Sequence, residues 1–304
     1  MRVVFFPAGD RTRASSRYRV WWIVPDDPDF MVADGNNWRQ ADVLVFQRTF
    51  SKKWRALAKK AKSSGKLVLF DCTEWFFMEG WKRLGAVDKM AGIAHALTCG
   101  VVEDQRLMQQ RYKKRVHVIP NAQRLGAYPL KKKHRPVARP RVIWFGRVGN
   151  MRTLESIWPV FQRLARDRVS FEVLIVNDDG QTHGLKLDDK HPVIAKKWGP
   201  GIIINELIVS ADVAVNPKIK QADGYYHKDI NKSVTAWMCG LPCITFGMTN
   251  DWYGDLRRML TDWRLRERNG KKNIERARAW DSSNVVKQWR KVFVDELKRL
   301  RGVQ

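Results

Sequence analysis

The chain has 304 residues and a mass of 35.5 kDa, enough for one large domain or two of ordinary size. Hydrophobic residues make up 44% of it, which excludes wholesale disorder. Its 57 Lys and Arg against 31 Asp and Glu give a formal net charge of +26. We infer that a polyanion or an anionic membrane surface offsets this charge, with a merely soluble basic protein as the alternative.

Three absences narrow the class of protein. No apolar run approaches the ~18–20 residues that cross a bilayer, and the opening residues are typical of a strand and turn rather than of a signal peptide. The cysteines form no CxxC pair and have no histidine clustered with them, which predicts free thiols and no zinc site or disulfide. We therefore expect a cytoplasmic monomer without a tightly bound cofactor or metal, and leave open whether a divalent metal assists.

The first part of the chain alternates short apolar runs with helical patterns. A helix is predicted to begin near Ser15 or Ser16, and another to run from the N-cap Ser51 to Gly65. Such alternation is typical of parallel βαβ units whose sheet is covered on both faces. The runs predict strands at 3–6, 42–47, 66–71, 96–100 and 116–121.

Residues 126–140 interrupt this pattern with three prolines and a basic run, which predicts a linker. The alternation then resumes, with a helix expected from Thr153 to Ala165. We therefore predict an α/β protein with two Rossmann-like domains at 1–125 and 141–280. Strands in the second domain are expected at 141–146, 171–178, 193–198, 211–217 and 241–246.

The tail, 281–304, is predicted to be a helix that packs back across the domains. Five apolar residues recur on one side of it, with Lys and Arg opposite. They are Val286, Trp289, Phe293, Leu297 and Leu300.

Polar residues that directly follow a strand are candidates for ligand binding in an open α/β sheet. Gly146 and Arg147 follow the strand at 141–146, and Arg152 comes five residues later. Glycine lets a backbone approach a ligand closely, and two arginines can hold a diphosphate. The alternative is a simple turn.

Two more places share this position. Lys228, Asn231 and Lys232 lead into a helix whose start favours phosphate, although a solvated basic helix would look the same. Asn216 ends the apolar run at 211–215 and could face the same cleft.

Together these segments resemble the carboxyl-terminal domain of GT-B glycosyltransferases, in particular the family 4-like group. The resemblance is carried by Gly-Arg at 146–147, ADVAVNP at 211–217, and KDINK at 228–232 leading to CGLPCI at 239–244. SSRYRV at 15–20 and HVIPNA at 117–122 are similar to segments of the first domain of such enzymes.

The resemblance implies a transferase that takes a nucleotide sugar, with a UDP-sugar expected, as co-substrate. Its second domain would hold the donor and its first domain the acceptor. Arg147, Arg152, Lys228 and Lys232 would contact the donor diphosphate, and Asn231 would orient the lysines or a phosphate oxygen. Cations placed there stabilise the charge that a departing nucleoside diphosphate gains.

One departure from the family pattern concerns two glutamates that often flank this helix with seven residues between them. The chain has His227 and Thr235 at those places. Donor recognition through carboxylates is therefore not predicted, and stereochemistry stays open.

Candidates for general acid or base come from the first domain. Asp71 and Glu74 follow the third predicted strand, where related enzymes have an acidic cluster, and Asp10 follows the first. Asp71 could instead cap a helix. His95 is a further candidate, with a structural role as the alternative.

Basic clusters recur through the chain, and we expect a polyanionic acceptor. Our first hypothesis is a bacteriophage enzyme that glycosylates hydroxymethylated pyrimidine bases in DNA in the host cytoplasm, drawing the base out of the duplex. Alternatives are synthesis of a surface polysaccharide or lipid-linked glycan at an anionic membrane, and a non-catalytic DNA-binding protein on this scaffold. The residues expected to contact the acceptor are Arg13, Arg17, Arg19, Lys52, Lys53 and Trp75.

Overall fold

The computed structural model describes residues 1–73, 82–199, 204–219 and 230–302. The chain divides into two compact units. Within the described residues the first unit contains 1–124 and 279–302, and the second contains the chain between them. The division places the end of the chain in the first unit, although it is distant in sequence.

Six parallel strands form the sheet of the first unit, in the order β2-β1-β3-β4-β5-β6. Their side chains are largely buried aliphatic or aromatic groups, as a parallel sheet covered on both faces requires. The sequence-based prediction does not include β2. The strands are β1 (Val3–Phe6), β2 (Phe30–Val32), β3 (Val43–Gln47), β4 (Leu67–Asp71), β5 (Ala96–Cys99) and β6 (Val116–Val118).

Helices of this unit follow the strands. The predicted helix after Ser51 is confirmed, and Gly65 beyond it has a φ of 72° that favours glycine. A short π-helical turn, Arg17–Trp21, continues the first helix. The helices are α1 (Ala14–Ser16), α2 (Lys52–Ser63), α3 (Leu84–Ile93) and α4 (Val102–Tyr112).

The second unit contains a parallel sheet of five strands in the order β11-β10-β7-β8-β9. All five strands coincide with runs that the sequence predicts, each shorter by one or more residues. The strands are β7 (Arg141–Phe145), β8 (Glu172–Asn177), β9 (Val193–Lys197), β10 (Val213–Asn216) and β11 (Cys243–Thr245).

The helix predicted from Thr153 to Ala165 is instead two helices. The break lies just before Pro159, which occupies the first turn of the second helix. Proline is tolerated there, but inside a helix its ring would clash with the preceding turn and it has no N–H to donate. The helices of this unit are α5 (Met151–Glu155), α6 (Trp158–Arg166), α7 (Ile204–Val209), α8 (Asn231–Met238), α9 (Trp252–Thr261) and α10 (Trp263–Ala277).

The segment predicted as a linker packs on the second unit. The Lys131 ammonium lies 3.0 Å from the Asp212 carboxylate, and the Lys131 amide donates to the carbonyl of Cys239. His134 is buried, with Nε2 3.1 Å from the carbonyl oxygen of Gly240. These contacts explain why an irregular, proline-rich stretch belongs to a compact unit.

The last helix, α11 (Ser282–Leu300), packs on the sheet of the first unit. The Trp289 ring meets Phe5 edge-on at 5.6 Å, and Phe293 also lies against Phe5. This face of the sheet is opposite the one that α2, α3 and α4 cover, because alternate strand residues contribute to each. Leu300, predicted on the apolar side, is 38% exposed.

In the described part of the chain, no helix combines the length and apolar character needed to cross a bilayer.

The packing of α11 predicts a large stability cost for Phe293→Ala. Phe293 is fully buried, so truncation leaves a cavity and should lower the free energy of unfolding by about 3–5 kcal/mol. Urea denaturation measures the loss. Val294→Ala, at a neighbouring residue that is 44% exposed, should change it by less than about 0.5 kcal/mol. Equal losses in the two variants would contradict this packing.

Candidate active site

The strand order of the second unit reverses between β7 and β10. At such a reversal, the loops that follow the two neighbouring strands run in opposite directions. A crevice therefore opens between them at the carboxyl ends of the strands. The residues after β7 and β10 therefore border the ligand site expected for this sheet. Gly146 and Arg147 follow β7, and Asn216 is the last residue of β10.

A carboxylate shapes the turn after β7. The Val148 amide donates to Oδ1 of Asp178, which follows β8, at 2.6 Å. Arg147 precedes this amide, and Arg152 lies on α5 just beyond the turn. Both arginine side chains are exposed and so are accessible to an anion.

Lys232, in the first turn of α8, extends to Gly146. Its ammonium lies 4.6 Å from the centroid of the Trp144 ring, over which it makes a cation–π contact. A Cβ atom built on Gly146 would lie 2.3 Å from the Lys232 nitrogen and 3.2 Å from Trp144. Glycine at 146 thus gives the lysine its place beside the turn. Two segments 86 residues apart in sequence meet here, as their predicted common role requires.

Asn216 has a different environment from the one expected. It is buried, and its amide donates to the Ser233 hydroxyl at 2.7 Å, linking β10 to α8. Ser233 in turn donates to the Thr245 hydroxyl on β11 at 2.8 Å. The predicted ligand contact of Asn216 therefore needs correction, since its amide orients α8 from within the core.

The other residues predicted around α8 are only partly described. Asn231 is the first residue of α8, next to Lys232. Thr235, at the place of the family glutamate, is buried on the same helix. Lys228 and His227 lie outside the described residues.

The sheet of the first unit reverses its order between β1 and β3, which places the corresponding crevice after these strands. Gln47, at the end of β3, is completely buried. Its Oε1 accepts from the Ala8 amide at 2.8 Å and from the Ser16 hydroxyl at 3.1 Å. One side chain thus fixes the loop after β1 and the end of α1 against β3.

Asp10 lies in this loop and is exposed. Hydrogen bonds from the Thr12 hydroxyl and amide, at 2.5 and 2.9 Å, lower the pKa of Asp10. The carboxylate is therefore ionised at neutral pH. Arg13 is exposed next to it, and its guanidinium donates to the Ala8 carbonyl at 3.1 Å.

Arg17, the first residue of the π-helical turn, lies beside two aromatic rings. Its guanidinium carbon is 5.3 Å from the Tyr18 ring centroid and 5.5 Å from that of Trp22. Together with Arg13 it leaves positive charge at the edge where an acceptor is expected.

Arg19 and Asp71 form a buried ion pair. The guanidinium donates to both carboxylate oxygens, at 3.0 and 2.5 Å, and both side chains are at most 1% exposed. Thr98 donates to the same carboxylate at 2.6 Å, and Arg19 also donates to the carbonyl of Ile119. The expected phosphate contact of Arg19 is therefore wrong for this structure. Among the described residues Asp71 caps no helix, and its buried carboxylate is occupied by these donors.

His95 precedes β5 and so lies at the amino edge of the sheet, opposite the crevice. Its Nδ1 accepts from the Val68 amide at 3.0 Å. Burial lowers the pKa of His95 to about 4, with the Lys62 and Lys114 ammonium groups adding to the shift. This position contradicts the predicted catalytic role and fits the structural alternative.

The remaining candidates lie at the start of α2 or outside the described residues. Lys52 and Lys53 are exposed and begin α2, which follows the carboxyl end of β3. Glu74 and Trp75 fall outside the described residues. Among the described residues, no group of three or more His, Cys, Asp or Glu side chains could hold a metal ion.

The sequence did not reveal the residues that hold the loops at the carboxyl ends of the two sheets in place. Gln47 and Trp144 lie within apolar strand runs, and Asp178 is the last residue of the strand predicted at 171–178. A polar residue at the last position of a buried strand, such as Gln47, is the one available signal. Its partners become visible only when the loops are placed.

No protein-family model and no curated protein matches the sequence. Among solved structures, the chain is similar to Anabaena HepE in complex with UDP and glucose. That match has a TM-score of 0.64 and 12% identity, and covers 97% of this chain and 100% of that one.

Two longer chains also match. The GtfA/B complex gives a TM-score of 0.61 and 11% identity over 86% of this chain, and the pneumococcal O-GlcNAc transferase GtfA, in complex with UDP and GlcNAc, gives 0.52 and 9% over 84%. The chain spans 57% of each of these chains. At identities this low, the structural similarity establishes the fold alone. The chain has the GT-B fold, with two parallel-sheet α/β units.

The Arg19–Asp71 pair predicts a large loss of stability for Arg19→Met. The change leaves a buried carboxylate without its cation and should lower the free energy of unfolding by about 3–5 kcal/mol. Urea denaturation measures it. Adding Asp71→Asn should recover part of the loss, because the unpaired charge is then removed. A single variant as stable as the wild type would show that the carboxylate has another partner.

Proposed function

We propose that this chain is a glycosyltransferase that moves a sugar from a UDP-sugar to a hydroxyl group on a polyanionic acceptor. The observation that carries the proposal is the Lys232 ammonium beside Gly146, at the reversal of strand order in the second unit. The GT-B fold, and HepE and GtfA solved with UDP and a sugar, support the choice of donor.

The donor chemistry follows from the cations around the turn after β7. When the glycosidic bond breaks, the diphosphate leaves with additional negative charge, which Lys232, Arg147 and Arg152 would stabilise. Arginine binds two phosphate oxygens at once, whereas the lysine acts as a point charge. Lys228 is proposed as a further contact on sequence grounds.

The acceptor proposal rests on charge and on the edge of the first unit. Arg13 and Arg17 would contact phosphates there, and the net charge of +26 favours a nucleic acid. We propose hydroxymethylated pyrimidines in phage DNA as the acceptor, with the modified base drawn out of the duplex. Asp10, an exposed and ionised carboxylate on the same loop, is assigned the role of general base.

One observation weakens the membrane alternative. The apolar side of α11, which could have inserted into a bilayer, covers the sheet of the first unit. Measuring UDP binding distinguishes the non-catalytic alternative, because a protein that only binds DNA is not expected to bind UDP.

The donor site predicts that Lys232→Met weakens UDP binding. A lost charge-assisted hydrogen bond is worth about 1.5–3 kcal/mol, so the Kd should rise by about ten- to a hundredfold in isothermal titration calorimetry. Gly146→Ala should also weaken binding, because its methyl group displaces the lysine ammonium.

Lys190→Met is the matched control, because Lys190 is exposed near the amino end of β9, at the opposite edge of the same sheet. Its Kd should equal that of the wild type. If the wild-type protein binds neither UDP nor any other nucleoside diphosphate, that result would contradict the enzyme proposal and favour the non-catalytic alternative.

The acceptor proposal predicts transfer to hydroxymethylated DNA. Wild-type protein with UDP-sugars should yield a heavier nucleoside by mass spectrometry after digestion, and unmodified DNA should yield none. Asp10→Asn should slow transfer by about 10²–10⁴-fold without changing UDP binding, because it removes only the base. Donor hydrolysis without any transfer to modified DNA would exclude this acceptor while leaving the donor site intact.

A further inference from the structure

The exposed side of α2 carries lysines in two pairs. Lys52 and Lys53 begin the helix, and Lys59 and Lys60 follow two turns later on the same side. All four side chains are exposed. At about 1.5 Å per residue, the two pairs are about 10 Å apart along the helix axis, which is about three steps of a DNA strand.

No carboxylate in the described part of the chain forms an ion pair with these four ammonium groups. Other basic residues do have such partners, for example Arg111 with Asp88 at 2.8 Å. Lys53 lies 5.0 Å from the Trp54 ring centroid and Lys60 5.8 Å from that of Trp38. Such contacts with a neutral ring leave the positive charge available to an external anion.

The position of the first pair opposes the helix dipole. The partial charge at a helix start is positive and favours acids, yet the first turn of α2 contains no acid and two lysines. The Ser51 side chain makes no capping hydrogen bond that would compensate. Local stability therefore does not explain this sequence, and such conflicts are expected where a ligand binds.

The occupant can be inferred from what the helix exposes. A helix that binds a membrane surface inserts an apolar side, but the apolar residues of α2, including Trp54 and Leu57, pack against the core of the first unit. Its outer side offers cations, serines and Ala56. This composition fits a charged backbone rather than a lipid bilayer.

We propose that this lysine row is a docking surface for duplex DNA, and the inference rests on the proposed function. The row begins at the carboxyl edge of the first sheet, beside β3, and leads away from it along the outer side of α2. It contacts backbone phosphates next to the acceptor base. The contacts are independent of base sequence and of base modification.

The test measures binding of a short, unmodified DNA duplex to the full chain by fluorescence anisotropy, without a donor, over a range of salt concentrations. The triple variant Lys52→Gln, Lys53→Gln and Lys59→Gln should raise the Kd at least about tenfold near physiological salt. The slope of log K against log salt should fall by up to about 2.7, since each lost phosphate contact removes about 0.9.

The matched control removes the same charge from the opposite face of the sheet. Lys287, Lys291 and Lys298 are exposed on α11, and their replacement by Gln changes the net charge equally. This variant should nearly keep the wild-type Kd and slope. Equal weakening by the two triples would overturn the proposal, because net charge alone would then account for binding.

Stability separates a docking role from a structural one. The α2 triple should melt at the same temperature as the wild type or above it, because it removes cations from the start of a helix. Its UDP affinity should be unchanged, so a failed donor site and a failed docking surface give different results. Wild-type protein that shows no salt-sensitive binding to the duplex, or that binds phosphatidylserine vesicles through these lysines instead, would overturn the proposal.

Discussion

All strands that the structure describes run parallel to their neighbours, and this constraint decides where polar groups can reach a ligand. A parallel sheet buries both faces under helices, so polar groups that must reach a ligand are confined to the loops. Those loops leave the carboxyl ends along one edge, and they separate only where the strand order reverses. The turn after β7 and the loop after β1 each lie at such a reversal.

The charged residues near the first sheet are therefore of two kinds, buried in an ion pair or exposed to water. Asp71 and Arg19 lie inside the edge of the first sheet and neutralise each other, because an isolated charge there could not be tolerated. Asp10 and Arg13 lie a few residues beyond the strand end, where water solvates them. Residues of the same type thus differ completely in whether they are accessible to a ligand.

The turn after β7 shows how packing positions a cation without burying it. The aromatic face of Trp144 and the missing side chain of Gly146 together give the Lys232 ammonium a place beside the turn. Asn216, Ser233 and Thr245 hold the start of α8 through hydroxyl and amide hydrogen bonds inside the core. An anion that enters would meet a charge that is already positioned, so little reorganisation would be needed to bind it.

The sequence alone determined the fold class, ten of the eleven strands that the structure describes, and the strand ends that border each candidate site, because buried strands and helix starts leave local signals. Local signals could not separate Arg19 from Arg17, which lie on the same helical turn, or Asp71 from Asp10, which both lie at or just beyond a strand end. Only the tertiary structure decided which member is buried, by bringing Ile119 and Thr98 to Arg19 and Asp71 from about 100 and 27 residues away. It also decided that Asn216 serves the core, that His95 lies at the far edge, and that α11 belongs to the first unit. Each of these outcomes depends on contacts between distant segments, and a pattern along the chain carries no information about them.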